Sequence, residues 1–373
     1  MEDQEFINSH PVSKHFGNYD LFGRMKHYKV PGLSIAVVEN GEIVWAEGYG
    51  LADIKGKKKV NTNTLFQAAS ISKPLASLAI LKLAEQNLVD LDENVNKYLK
   101  NYQIPENKFT KRIKVTLRAI MAHTAGFNVE GFVGYKSKEP IPSTIQVLKG
   151  EGNSPKVMVN TLPESSWHYS GGGSTIMQKV VEDITNQAFE DYMKMEILDP
   201  LGMTNSTFAL PLPKKYHSNV SLAFDTKGKL MEGKWHNYPE KAAAGLWSTP
   251  TDIAKYCQAI QDIMSGKVKN GILTKASIEM MLKDHYGLVP FVSSPNKPEG
   301  YKHYWGLGPE IIGTGESMRF QHAGKNEGFK ANFTAYVHKG QAIVIMANGD
   351  NGYDLIMEIE KVLSDYFKME IWQ

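Results

Sequence analysis

Short runs in which apolar and polar positions alternate lie near both ends of the chain, and helical spacing of apolar residues fills the stretches beside them. Residues 33–38 and 42–50 flank Asn40-Gly41, a dipeptide that tolerates the left-handed conformations a two-residue hairpin needs. Ahead of that hairpin, an amphipathic segment over 14–28 predicts a helix. Late in the chain, 331–337 and 342–347 flank His338-Lys339-Gly340 as a second hairpin, and Leu355, Ile356, Ile359, Val362, Leu363 and Phe367 mark one stripe of a closing helix. Hairpins near both ends, each followed by a helix, predict an α+β fold: one antiparallel sheet assembled from both termini, flanked by helices, with a helical insertion between. The expected division is a discontinuous sheet domain, 1–110 with 241–373, and a mainly helical domain, 111–240.

At 64–69 an apolar, strand-like run gives way to a helical pattern, and Ser70-Ile71-Ser72-Lys73 stands at the junction. Residues three apart on a helix are neighbours, so a Ser70 in the first turn would bring the Lys73 amine to its hydroxyl. A serine hydroxyl needs such a base at neutral pH, and Leu75, Ala76 and Leu78 would desolvate the amine and lower its pKa. The Ser70 N–H, near a helix start, would be free to stabilise an oxyanion. Ser294-Pro295-Asn296-Lys297 has the same spacing but lies in a Pro/Asn/Gly-rich stretch that leads into no helix.

Further segments follow in order. Phe66 to Pro74, Val115-Thr116-Leu117-Arg118, His123-Thr124-Ala125-Gly126, Trp167-His168-Tyr169-Ser170-Gly171, Pro200-Leu201-Gly202-Met203, the run 243–250 and Gln321-His322-Ala323-Gly324-Lys325 form a collinear series. This series resembles the serine β-lactamase and penicillin-binding protein family, in particular its class C-like, esterase and D-aminopeptidase branch. The resemblance implies a cleft between the two parts of the fold, with Ser70 as nucleophile, Lys73 as base and Tyr169 as proton shuttle, its phenolate character favoured by the lysine cation. It also implies an oxyanion hole from the N–H groups of Ser70 and Lys325, with Gly324 allowing close approach of substrate.

Two departures bear on substrate. Gly171 stands where the family often carries an asparagine amide that contacts the lysine and the substrate, so that contact is lost or supplied elsewhere. His322 replaces the lysine of the usual Lys-Thr-Gly motif, and a histidine is mostly neutral at pH 7. Anionic substrates thereby lose an anchor, although Lys325 could restore a positive field. Glu164 reads as a turn residue, and His123 as structural, with Gly126 as a helix C-cap.

Composition narrows the rest. The 373 residues carry a formal charge of +2 with Lys and Glu interspersed, and the basic clusters at 55–59 and 108–114 lack interleaved aromatics, so no nucleic-acid face is expected. Eleven histidines form no HExxH pattern, one cysteine makes no Cys-rich site, and nucleotide-binding glycine motifs are missing, so neither metal nor cofactor is expected. No run has the length of a membrane span. The start lacks a signal-peptide pattern, which reads as cytoplasmic as the sequence stands, or as exported if a signal was removed. The expected activity is acyl-enzyme hydrolysis of a small-molecule ester, β-lactam or D-residue peptide. A β-lactamase-fold carboxylesterase with possible penicillin binding ranks first, ahead of a D-Ala-D-Ala carboxypeptidase, D-aminopeptidase or β-lactamase, and of a non-catalytic penicillin-binding sensor.

Overall fold

Asn40 and Gly41 take φ values of 53° and 78°, and the hairpin they close joins β1 (Gly32–Glu39) to β2 (Glu42–Asp53). The computed structural model describes residues 14–269, 271–287 and 302–369. The further strands are β3 (Lys58–Lys59), β4 (Phe66–Ala69), β5 (Leu246–Ser248), β6 (His303–Trp305), β7 (Glu310–Ile312), β8 (Arg319–Asn326), β9 (Phe329–Tyr336) and β10 (Ala342–Ala347). Eight of these form one antiparallel sheet in the order β3-β2-β1-β10-β9-β8-β7-β6. Its middle pairing, Leu33 opposite Ala347 through Val38 opposite Ala342, welds the two chain ends together, as the hairpin pattern predicts. Strands β4 and β5 form a separate two-stranded ladder.

The sheet is covered on both faces, which is why β1 and β10 read as near-continuous apolar runs. On one face Leu33, Ile35, Val37, Ile343 and Ile345 pack with α1 (Leu21–Tyr28) and with Leu355, Ile356, Ile359 and Leu363 of the closing helix, Gly352–Tyr366. On the other, Ala36, Val38, Val344, Met346, Ala331 and Phe333 join the larger core, in which the helix Pro250–Ser265 packs on β1 and β10 and α2 (Ser72–Glu85) is also buried. Helix α2 is buried almost all round, which fits the apolar run Leu75 to Leu81 broken only by Ser77.

Three expectations need correction. The 14–28 segment breaks into a turn at Lys14–Phe16 and α1, because Asp20 caps the latter by accepting the Gly23 N–H. The 111–240 stretch is less helical than expected: it holds one long helix, α4 (Gly171–Thr185), α3 (Leu117–Met121), and short turns of helix at Thr144–Lys149, Phe189–Met193 continuing through Lys194–Leu198, and Lys214–Asn219, with irregular chain between. Its many Gly and Pro residues do not sustain helix. Ser70 precedes the first helical residue of α2 by two positions rather than lying in its first turn. The 294–297 match lies outside the described residues. No helix among the described residues is long and apolar enough to cross a membrane.

Candidate active site

At the end of β4 the chain turns sharply. Ala69 adopts φ 50°, a left-handed conformation that side-chain-bearing residues rarely take, and Ser70 follows it half-buried. Ser72 fixes this turn: its Oγ donates to the Ala69 carbonyl at 2.6 Å and accepts the Leu246 N–H at 3.0 Å. The turn sets Ser70 above the start of α2, and Lys73, one turn along, directs its Nζ to the Ser70 Oγ at 2.9 Å. The same Nζ donates to the main-chain carbonyl of Ala243 at 2.8 Å, in the short helix α5 (Lys241–Ala244). Lys73 is 2 % exposed, and burial brings its pKa down to about 7. Near neutral pH much of the amine therefore carries a free lone pair beside a hydroxyl.

Tyr169 completes the group. Ser170 caps α4 by accepting the Gly173 N–H and donates its own hydroxyl to the Val129 carbonyl at 2.7 Å, so the residue before the cap is held at the mouth of the helix. The Tyr169 ring centroid lies 4.8 Å from Lys73 Nζ, and its phenol is near enough to Ser70 for the serine hydroxyl to lower its pKa in part. Burial raises the phenol's pKa, partly offset by the Ser70 contact, while Glu130 and Glu310 raise it further. The resting phenolate expected from a lysine cation is thus replaced by a neutral phenol beside a readily deprotonated amine, because the dry surroundings disfavour both charges.

Strand β8 borders the other side. Its parity follows from the Val337 N–H, which donates to the Met318 carbonyl, so Phe320, His322, Gly324 and Asn326 bond toward β9. Ala323 and Lys325 turn their N–H and C=O the opposite way, and β7 pairs only with 319–321. The Lys325 N–H thus faces the open edge on which the Ala323 carbonyl meets the His322 ring. The side chains alternate too. Asn326 reaches Gln67 and the Ala244 carbonyl, and Gly324 lies against Ala68, whose carbonyl a Cβ would overlap. Gly324→Ala must therefore shift β8 from β4, and is expected to cost about 2 kcal/mol in a denaturant titration, in the range for overpacking.

Lys325 itself points away: its ammonium sits 4.0 Å over the Tyr353 ring in the closing helix. The positive field expected from it is on the wrong face of the sheet. His322 is buried, donates Nδ1–H to the Ala323 carbonyl at 2.6 Å, and is held neutral, its pKa lowered to about 4 by burial and then by Lys73. A Cβ at Gly171 would press on the Glu130 carbonyl and the Phe132 ring at 3.0 Å, so an asparagine side chain there would require those neighbours to move. The Lys73 amine, for which the resemblance implies an asparagine amide as partner, bonds the Ala243 carbonyl. Glu164 is an exposed turn residue at φ 63°.

Two residues of this site were not expected from sequence. Trp305 packs within 5.6 Å of the rings of His123, Trp167, Tyr169 and His322. His123 lies 4.4 Å from the Tyr169 ring, and it, rather than Gly126, is the left-handed residue (φ 58°) that ends α3. The His-Thr-Ala-Gly run carried the signal for His123; a tryptophan on a short strand carried none.

The antiparallel sheet with helices on its faces, and the serine, lysine and tyrosine gathered beside β8, define a protein of the β-lactamase and penicillin-binding fold. Pyrococcus abyssi's octameric penicillin-binding protein homologue superposes on 94 % of the chain, and this chain on 79 % of it, with a TM-score of 0.72 and 24 % identity. SurE with D-Leu follows at 0.71 and 20 % identity, covering 93 % of this chain and 74 % of its own. At these identities the solved structures establish the fold. The family description "Beta-lactamase" matches residues 21–362, so the chain belongs to the beta-lactamase family, whose members of this fold are serine hydrolases. "Protein flp" of Staphylococcus aureus strain N315 is 23 % identical over 329 residues, 87 % of this chain and 61 % of that protein. "Teichoic acid D-alanine hydrolase" of the same species is 26 % identical over 245 residues, 64 % of this chain and 57 % of that protein. The chain spans about three fifths of the curated relatives it matches.

Proposed function

We propose that the chain is a carboxylic-ester hydrolase that works through an acyl-enzyme on Ser70. The neutral fraction of Lys73 takes the Ser70 proton as Oγ attacks the ester carbonyl. The carbonyl oxygen, now negative, is held by the N–H groups of Ser70 and Lys325. Tyr169 passes a proton to the leaving alcohol, and the reverse relay activates the water that releases the acid. The 2.9 Å contact between Lys73 Nζ and Ser70 Oγ, made by an amine whose charge burial disfavours, carries this reading. It also argues against a sensor that only binds, for which a lowered lysine pKa beside the nucleophile has no use.

Esters are favoured over β-lactams and D-Ala-D-Ala peptides because those two classes bring a carboxylate. His322 offers it no charge, Lys325 is on the far face, and the nearby carboxylates of Glu130 and Glu310 oppose it. The similarity to a D-alanine hydrolase supports the same preference, since an alanyl group carries an ammonium rather than an acid. The test is a comparison of kcat/KM for p-nitrophenyl butyrate, a D-alanyl ester, nitrocefin and a D-Ala-D-Ala peptide. Esters should lead by about 100-fold, the scale of one missing charge-assisted contact at about 2–3 kcal/mol. Equal or better turnover of nitrocefin or the peptide would reject the assignment.

A further inference from the structure

His123 contacts the chain on both sides of Tyr169. Its main-chain carbonyl accepts the His168 N–H at 2.7 Å, and its Nδ1 accepts the Ser170 N–H at 3.1 Å. Its ring packs on the tyrosine ring between those two contacts, at 4.4 Å, and on Trp305 at 5.1 Å. The side chain is almost wholly buried, and among the described residues its Nε2 has no hydrogen-bond partner. Accepting at Nδ1 from a backbone N–H leaves the neutral ring's proton on Nε2. Burial and the nearby Lys73 both hold the ring neutral, well below its ordinary pKa.

Packing alone does not call for this arrangement. A buried apolar side chain would fill the space without a left-handed backbone at 123 and without an unpaired ring nitrogen. What the imidazole adds is an acceptor placed for one particular N–H, next to the one residue that must aim a phenol at Ser70. We infer that His123 is the positioning residue for Tyr169: it clamps residues 168 and 170 and seats the ring, so that the phenolic oxygen stays on the Ser70–Lys73 pair. The inference rests on the proposed role of Tyr169 in ester hydrolysis, and it acts through that residue rather than on substrate.

Side-chain chemistry gives the test. Asparagine offers an Oδ1 close to where Nδ1 stands and tolerates positive φ, whereas glutamine carries its amide one bond too far out and alanine has no acceptor. His123→Ala and His123→Gln should each lower kcat for p-nitrophenyl butyrate about tenfold or more with KM changed less than twofold, and His123→Asn should recover to within about threefold of the parent, the range for a displaced catalytic group. In a Tyr169→Phe background the further loss from His123→Ala should fall below about twofold, because a residue acting through the phenol has nothing left to aim. Losses that multiply in the double variant, or an asparagine variant as slow as the alanine one, would overturn the inference.

A readout independent of turnover keeps it separate from the esterase assignment. With 3-fluorotyrosine in place of tyrosine and the Tyr169 signal assigned by Tyr169→Phe, the ¹⁹F resonance should be single and narrow in the parent and in His123→Asn. It should broaden or split in His123→Ala. An unchanged resonance in His123→Ala would refute the clamp whatever the ester assays show, whereas a parent with no ester turnover and the expected ¹⁹F pattern would reject the esterase reading alone.

Discussion

Ser70→Ala is expected to lower kcat/KM for p-nitrophenyl butyrate by at least about 10⁴-fold, on the scale seen when the nucleophile of a serine hydrolase is removed. Lys73 and Tyr169 would remain, but neither offers an oxygen where the acyl bond forms. Residual rate would come only from the N–H pair and from binding. The fold should tolerate the change, since Ser70 is half-buried and the turn is held by Ser72 through its bonds to Ala69 and Leu246. A thermal midpoint within about 2 °C of the parent is expected for a change that removes no packing. Mass spectrometry after a fluorophosphonate gives the same answer covalently: the parent gains one adduct on the Ser70 peptide and the variant gains none. Turnover that survives the substitution would place the chemistry elsewhere.

Lys73→Met is expected to move activity and stability in opposite directions. The methionine fills the space of the stem without the amine, so Ser70 loses its base and kcat should fall about 10³-fold, within the range of general-base removal. Stability should rise at pH 6. In the unfolded chain the amine takes up its proton below about 10.4, but in the folded protein only below about 7. Between those values the unfolded state binds more protons, so the lysine's contribution to stability improves as pH rises through that window and is least favourable below it. The shift sets an upper bound of about 5 kcal/mol at 1.36 kcal/mol per unit, reduced by the lost bonds to Ser70 and Ala243. A net gain of about 1–3 kcal/mol at pH 6, shrinking toward pH 10, is the expected result in urea titrations. The parent's kcat/KM should climb about tenfold per pH unit below 7 and level off above it. A variant less stable at pH 6 than the parent would mean that the amine is charged and well solvated after all.

Much of the sheet was legible because its information is local. Asn40-Gly41 fixes one hairpin by its φ values, and the alternation through 331–347 fixes another, so the pairing of β1 with β10 follows from two short patterns. The trio of Ser70, Lys73 and Tyr169 was legible as a set of motifs. What resisted reading depends on direction rather than on identity. Lys325 looks like a local charge in one dimension, but strand parity sends it through to the other face. His123 reads as a residue at the end of a helix, and only the fold brings residues 168 and 170 against it. The lowered pKa of Lys73 was legible in its apolar neighbours, but the neutral phenol of Tyr169 was not, because the same burial acts on the phenol and outweighs the pull toward phenolate. Trp305 sits on a three-residue strand, too short to leave a periodic trace.

The bond from Lys73 to the Ala243 carbonyl has an evolutionary corollary. Where a side-chain amide supports the amine, one codon change can remove it, and a conserved letter records its importance. Here the acceptor belongs to the peptide link itself, which every amino acid supplies. Exchanges at 243 that leave the chain path intact are therefore expected to spare the amine, while inserting or deleting a single residue between 240 and 245 would misplace the oxygen and disable the enzyme.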